Sequence, residues 1–216
     1  MTAVYPVIHI NNRYQARNNA LACLEAGAAG VYLIHMGGQD ELTLEVFNEV
    51  RFFAPQAFLG VNLLAIPTDY SLGTIFPHHL APPDALWIDY MMPKTFSNPT
   101  RSKVVGGVAF KYTPNYTEDP YQAALEVDRL KSFVDVVCTS GPGTGFPPPI
   151  EKLQSMKQKC GEKPFAVASG VNSDNIVEMV GLVDQVLVGT FLEEVPGSGI
   201  INIPRLSTLI SRGLDD

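Results

Sequence analysis

Cysteine is scarce in this chain: Cys23, Cys138 and Cys160 are an odd number with no C-x-x-C pair. That excludes a disulfide framework and a zinc site built on paired cysteines, and it fits a reducing cytosol. Positive charge is also short. Fifteen Lys and Arg stand against 22 Asp and Glu, giving a formal net charge of −7 and a pI near 5.1. No basic cluster restores locally the electrostatic footprint that nucleic acid requires. The opening MTAVYPVIHINNRYQ has neither a basic n-region nor an apolar h-region, and no apolar run approaches bilayer-spanning length. These absences predict a cytoplasmic chain with no transmembrane segment and no nucleic-acid partner. No linker, low-complexity stretch or charge block divides the 216 residues, so one domain over 1–216 is expected. Metal-ligand spacing is missing as well: His78 and His79 lie in a Pro-bounded loop, where exposure is the default, and no cofactor is called for.

What the chain does contain is a regular alternation. Short β-branched runs occur at 4–10, 30–36, 58–65, 85–91, 104–112, 134–141, 164–170 and 185–191. Helical patterns fall between them at about 12–29, 43–55, 69–81, 121–133, 148–160, 173–183 and 203–213, with at most a turn in KTFSNPTRSK after the fourth strand. Near-continuous apolar strands alternating with helices predict a parallel sheet covered by helices. An open doubly wound sheet would carry its glycine-rich turn after the first strand, where this chain has INNRYQ; its glycines gather late. The expected fold is therefore a single-domain (β/α)8 barrel, an α/β architecture.

Side chains alternate along a strand, so each strand divides into a helix-facing and an axis-facing set. Placing the large apolar residues outward puts Val108, Phe110 and Tyr112 on the helix side of strand five and leaves Gly107, Ala109 and Lys111 inside. The same parity turns His9, His35, Gly60, Asn62, Asp89 and Ser169 inward. A core does not select such residues, and the C-terminal mouth is where barrels of this kind place their chemistry. His9, Asn62, Asp89 and Lys111 are accordingly the candidate catalytic set. Lys111 can bind an anion, stabilise developing negative charge, serve as acid or base, or attack a carbonyl as an amine; the sequence leaves these open. Asp89 can pair with it structurally or hold it protonated. Cys138 reads as buried packing.

The segment 164–194, PFAVASGVNSDNIVEMVGLVDQVLVGTFLEE, reads as strand, glycine turn, short helix and a second strand ending in Gly-Thr. In eight-stranded barrels the loops after strands seven and eight offer backbone N–H groups to an anion. Ser169, Gly170, Gly189 and Thr190 are the expected phosphate-binding residues; tight turns with no ligand are the alternative. After strand six, TSGPGTGFPPPIEKLQSMKQ places Thr139, Ser140, Gly143, Thr144 and Gly145 in a polar, glycine-rich rim that can order over a ligand, with Pro147 to Pro149 at a helix entrance.

TSGPGTGFPPP followed by ASGVNSDNIVEMVGLVDQVLVGTFLEE, with GVNLLA at 60–65 and VAFK at 108–111, resembles the BtpA family of (β/α)8 proteins across about residues 58–194. The resemblance implies the barrel, an association with photosystem I biogenesis, and a barrel like that of enzymes that use phosphate esters. The leading expectation is an enzyme acting on a small phosphorylated metabolite, a sugar phosphate or nucleotide-derived phosphate, by isomerase or lyase chemistry. A non-enzymatic assembly or stability factor and a phosphate-binding regulator are the alternatives, and self-association is left open.

Overall fold

The computed structural model describes residues 1–65, 81–93 and 102–214. In chain order it contains β1 (Ala3–His9), α1 (Arg13–Glu25), β2 (Val31–Ile34), α2 (Asp40–Phe53), β3 (Leu59–Asn62), β4 (Ala85–Ile88), β5 (Lys103–Gly107), α3 (Pro120–Leu130), β6 (Val136–Thr139), α4 (Ile150–Cys160), β7 (Phe165–Val167), β8 (Gln185–Val188) and α5 (Ile203–Leu214). Every strand pairs in parallel with its sequence neighbour, and β8 returns to β1 with Val4 opposite Val186, closing an eight-stranded barrel. The expected helix at 69–81, the loop histidines His78 and His79, and most of KTFSNPTRSK lie outside the described residues.

Local chemistry explains where the helices begin. Asn12 caps α1, its side-chain oxygen accepting the N–H groups of Tyr14 and Gln15. Asp119 does the same for α3 through Gln122, with Pro120 in the first turn, where no N–H is missed. The helix expected at 173–183 does not form. In its place stands one 3-10 turn, Ile176–Glu178. Asn172 Oδ1 accepts from Asp174 and Asn175, and Asn175 Oδ1 accepts from Asn172, so side chains take up the backbone groups that a longer helix would need.

Two apolar layers result. The outer one packs the helices on residues such as Ile8, Leu33, Val61, Val137 and Val186, and the inner one fills the barrel. Rings dominate the inner layer. Tyr5 meets Phe58 at 5.3 Å between centroids, Tyr32 meets Trp87 at 6.0 Å and Trp87 meets Phe110 at 6.1 Å, all edge to face. This stack plugs the barrel axis and sets the floor of the cavity above it.

At the N-terminal ends of the strands, one device recurs three times. Asp84, Asp135 and Asp184 each immediately precede an even-numbered strand. Each donates its N–H to the carbonyl of Leu59, Val104 or Phe165, and its carboxylate accepts the N–H of that same residue at 2.8, 2.7 and 2.8 Å. Neighbouring strands are thereby tied at the end opposite the cavity, where barrel residues serve stability.

Candidate active site at the barrel mouth

A cavity of about 510 Å³ opens at the C-terminal ends of the strands. Val7 and His9 from β1, Trp87 from β4 and Lys111 beyond β5 line it, together with residues 168–172 and 187–191, with Glu193, Glu194, Pro196 and Arg205 beyond β8, and with Thr144 and Gly145 from the loop after β6. Of the residues singled out from the sequence, it therefore gathers His9, Lys111, Thr144, Gly145, Ser169, Gly170, Gly189 and Thr190.

Lys111 arrives there by a route the strand parity does not describe. β5 ends at Gly107, and among the described residues Ala109 (φ 48) and Tyr112 (φ 60) are the non-glycine residues in left-handed backbone. The kink turns Ala109 to the outer layer and Phe110 into the barrel, the reverse of the expected arrangement, and leaves Tyr112 exposed. Lys111 nevertheless reaches the cavity. Its N–H donates to Ser140 Oγ at 2.7 Å, and its Nζ approaches the Ala168 carbonyl at 3.5 Å. Burial pushes the ammonium below the usual lysine range, with the Asp89 carboxylate pulling it part of the way back. Asp89 is itself raised by burial, against the opposing effects of its hydrogen bond from Asn62 Nδ2 at 2.9 Å and of Lys111. Asn62 and Asp89 form a pair beside the cavity rather than on its wall, and among the described ion pairs none joins Asp89 to Lys111.

The turn after β7 is built against the loop after β6. Gly170 adopts φ 65, and a Cβ there would fall 2.0 Å from Pro147 N and 2.2 Å from the Phe146 carbonyl carbon. Ser169 Oγ accepts the Gly141 N–H at 2.9 Å and donates to the Phe146 carbonyl at 3.1 Å. Its hydroxyl proton is thus committed to clamping the loop. Thr139 and Ser140, expected on the rim, are fully buried: Thr139 donates to the Ala109 carbonyl and Ser140 receives Lys111. The rim itself is the 143–146 stretch, where Thr144 N–H donates to Tyr112 Oη at 3.1 Å. Among the described residues, no protein acceptor takes the N–H of Val171 or Thr190, which face the same cavity.

His35 does not join the site. Its Nδ1 accepts the N–H groups of Gly37 and Gln39, closing its own turn, and Tyr32 and Ile34 are the β2 residues that point inward.

Two residues that strand parity could not find complete the site. Glu193, 1% exposed, meets His9 Nδ1 at 2.9 Å. Lys152 on α4 is wholly buried; its Nζ donates to the Ala109 and Ser140 carbonyls at 2.9 and 2.8 Å and lies 4.9 Å from the Tyr116 ring centre. It cross-links the segments that follow β5 and β6, meeting the same Ser140 whose hydroxyl receives the Lys111 N–H, and burial lowers its pKa to about 8. The signal for Lys152 was present in the helical pattern, since it shares the apolar face of Met156 and Cys160 on α4.

The closed parallel barrel and its mouth cavity define a TIM-barrel protein. Solved structures agree on the fold. Phosphoribosyl anthranilate isomerase from Thermus thermophilus superposes with a TM-score of 0.69 at 15% identity over 98% of both chains. The 3-hexulose-6-phosphate synthase of Salmonella typhimurium gives 0.70 at 13% identity, covering 98% of this chain and 100% of the other. The (S)-3-O-geranylgeranylglyceryl phosphate synthase of Thermoplasma acidophilum, in complex with its substrate sn-glycerol-1-phosphate, gives 0.65 at 11% identity, covering 98% and 92%. These neighbours are barrel enzymes acting on phosphorylated compounds. No protein-family model and no curated protein matches the chain.

Proposed function

We propose that this chain is an enzyme acting on a small phosphorylated metabolite by isomerase or lyase chemistry. The observation that carries the reading is the juxtaposition, in one cavity, of the backbone turns after β7 and β8 with the ammonium of Lys111. In this reading the N–H groups around Gly170, Val171, Gly189 and Thr190 grip the phosphate, as unpaired backbone donors at a barrel mouth do. Lys111 and Asp89 carry proton transfer or carbonyl activation. Burial lowers the proton affinity of the lysine and raises that of the carboxylate, which brings the two closer together, as acid–base partners require. His9 faces the substrate from the β1 side, Asn62 holds the Asp89 carboxylate, and the 143–146 rim covers the substrate. Structural neighbours that act on phosphorylated compounds support the substrate class. A BtpA-like origin is supported by the loop sequences at 139–149 and 169–190, and a cytoplasmic setting by three free, buried thiols.

Thermal unfolding against inorganic phosphate, sugar phosphates and nucleotides tests the reading. A ligand at a hundred times its dissociation constant adds about 2.7 kcal/mol of stability. A saturable upward shift with at least one phosphorylated compound is expected; no shift across the panel would return the barrel to the assembly-factor reading.

A further inference from the structure

β1 and β5 lie four strands apart in a ring of eight; His9 enters the cavity at the end of β1, and Lys111, from the segment after β5, extends its ammonium to the Ala168 carbonyl beyond β7. His9 is the last residue of β1, and its ring is held at one nitrogen only. Nδ1 meets Glu193 Oε1 at 2.9 Å, while Nε2 has no protein partner among the described residues. The free edge lies against Gly189, where a Cβ would stand 3.0 Å from both Cε1 and Nε2. Glycine at that position therefore keeps the nitrogen open beside the backbone that the phosphate reading uses.

Glu193 is fixed from every direction. Its second carboxylate oxygen accepts the Gly197 N–H, its carbonyl accepts Arg205 at 2.6 Å, its N–H donates to Thr190, and it bridges to Ile201. A buried carboxylate so placed holds the imidazole with its proton on Nδ1 and its lone pair on Nε2, and it stabilises the imidazolium once Nε2 takes a second proton.

We propose that His9 is a catalytic acid–base residue of this cavity, oriented by Glu193, and that the substrate is a phosphorylated carbonyl compound small enough to lie between His9 and Lys111. The inference rests on the reading of the cavity as the phosphorylated-substrate site. In the step so assigned, on an α-hydroxy carbonyl substrate, Nε2 takes a proton from the hydroxyl-bearing carbon beside the carbonyl. The electron pair of that C–H bond forms the enediolate carbon–carbon bond, and the carbonyl pair moves to oxygen, where the Lys111 ammonium stabilises the charge. The hydroxyl proton of the enediolate passes to the former carbonyl oxygen, and the imidazolium returns its proton to the former carbonyl carbon as the new carbonyl forms on the neighbouring carbon, so that the protein ends as it began. Glu193 is a positioning residue throughout.

The test uses the whole chain labelled with 15N-histidine, the His9 signals being assigned by their loss in His9→Asn. Long-range 1H–15N spectra under mildly alkaline conditions are expected to show His9 with the proton on Nδ1, and inorganic phosphate is expected to move the Nε2 signal. Glu193→Gln is expected to mix the two tautomers and to slow diethyl pyrocarbonate modification of His9, mapped by peptide, by about tenfold or more. A proton on Nε2 in the wild-type protein, or an unchanged tautomer and rate in Glu193→Gln, would overturn the proposal. If that variant does not fold, the wild-type tautomer decides alone. Trp87, the chain's single tryptophan and part of the cavity wall, reports phosphate occupancy in parallel. A Trp87 response with a silent His9 removes the acid–base assignment and leaves the cavity reading standing, whereas no response at either residue overturns both.

Discussion

Gly170→Ala is expected to lower stability by about 2–5 kcal/mol, the sum of left-handed strain for a residue with a Cβ and overpacking against neighbours that cannot rotate away. The neighbours decide the size of the effect. A Cβ at 170 meets the backbone of Phe146 and Pro147, so the loop after β6 must lift or the turn after β7 must unwind. Either movement dismantles the clamp made by Ser169 and takes the Val171 N–H away from the cavity. The variant should therefore also lose any phosphate-induced thermal shift. Gly145→Ala is the comparison: its φ of 84 is equally left-handed, but nothing lies within 4 Å of the added carbon. That change should cost only about 1–2 kcal/mol. Urea unfolding of the two variants checks the contrast, and equal losses would show that backbone strain alone, without the loop contact, accounts for glycine at 170.

The second large effect is a pH dependence carried by Lys152. Its pKa falls from 10.5 to about 8 on folding because burial disfavours the ammonium, an effect only partly opposed by Glu118. Between those values the unfolded chain binds a proton that the folded chain does not, so this group makes the protein more stable as pH rises through the window. Below pH 8 both states are protonated, and burying the charge costs about 3 kcal/mol relative to a neutral amine. Other groups act in the opposite direction at the alkaline end. Burial raises the thiols of Cys23 to about 12 and Cys160 to about 11, so they favour unfolding above their ordinary pKa of 9.0. The clean observable is therefore the difference between wild type and Lys152→Met, in which the cysteines and Lys111 cancel. The stability of the wild-type protein relative to the variant should rise by about 3 kcal/mol across that window. A flat difference would mean that the two carbonyls and the Tyr116 ring compensate the buried charge fully.

Much of the barrel was legible because a parallel strand buried on both faces leaves a short apolar run bounded by turn residues. All eight runs hold a strand, and all but β1 are shorter than their runs; β7 occupies Phe165–Val167 within 164–170. Helices were legible where a cap and an apolar face coincide, as in α3. The helix proposed for 173–183 was misjudged because the asparagines of GVNSDN bind one another's backbone, a competition that periodicity does not register. At the site, parity worked where a strand runs straight to its end, as it does for His9 and Asn62. It failed at β5, where left-handed Ala109 reverses the faces, and it could not show that Ser169, which lines the cavity from beyond the end of β7, has its hydroxyl committed to the loop after β6. Glu193 lies past β8 in a segment with no period to read. Its role appears only when the closed ring brings residue 193 beside residue 9.

The most direct test of the phosphate-site reading is a titration of Trp87 fluorescence with inorganic phosphate and sugar phosphates, in the wild-type protein and in Lys111→Ala. Trp87 forms part of the cavity wall, and Lys111 reaches the same space from beyond β5. A charge-assisted contact is worth about 1.5–3 kcal/mol, and each 1.4 kcal/mol is about a tenfold change in affinity. The account predicts a saturable change for at least one phosphorylated compound, with the midpoint moved at least about tenfold higher in Lys111→Ala. No response to any compound, or the same midpoint in both proteins, would contradict it.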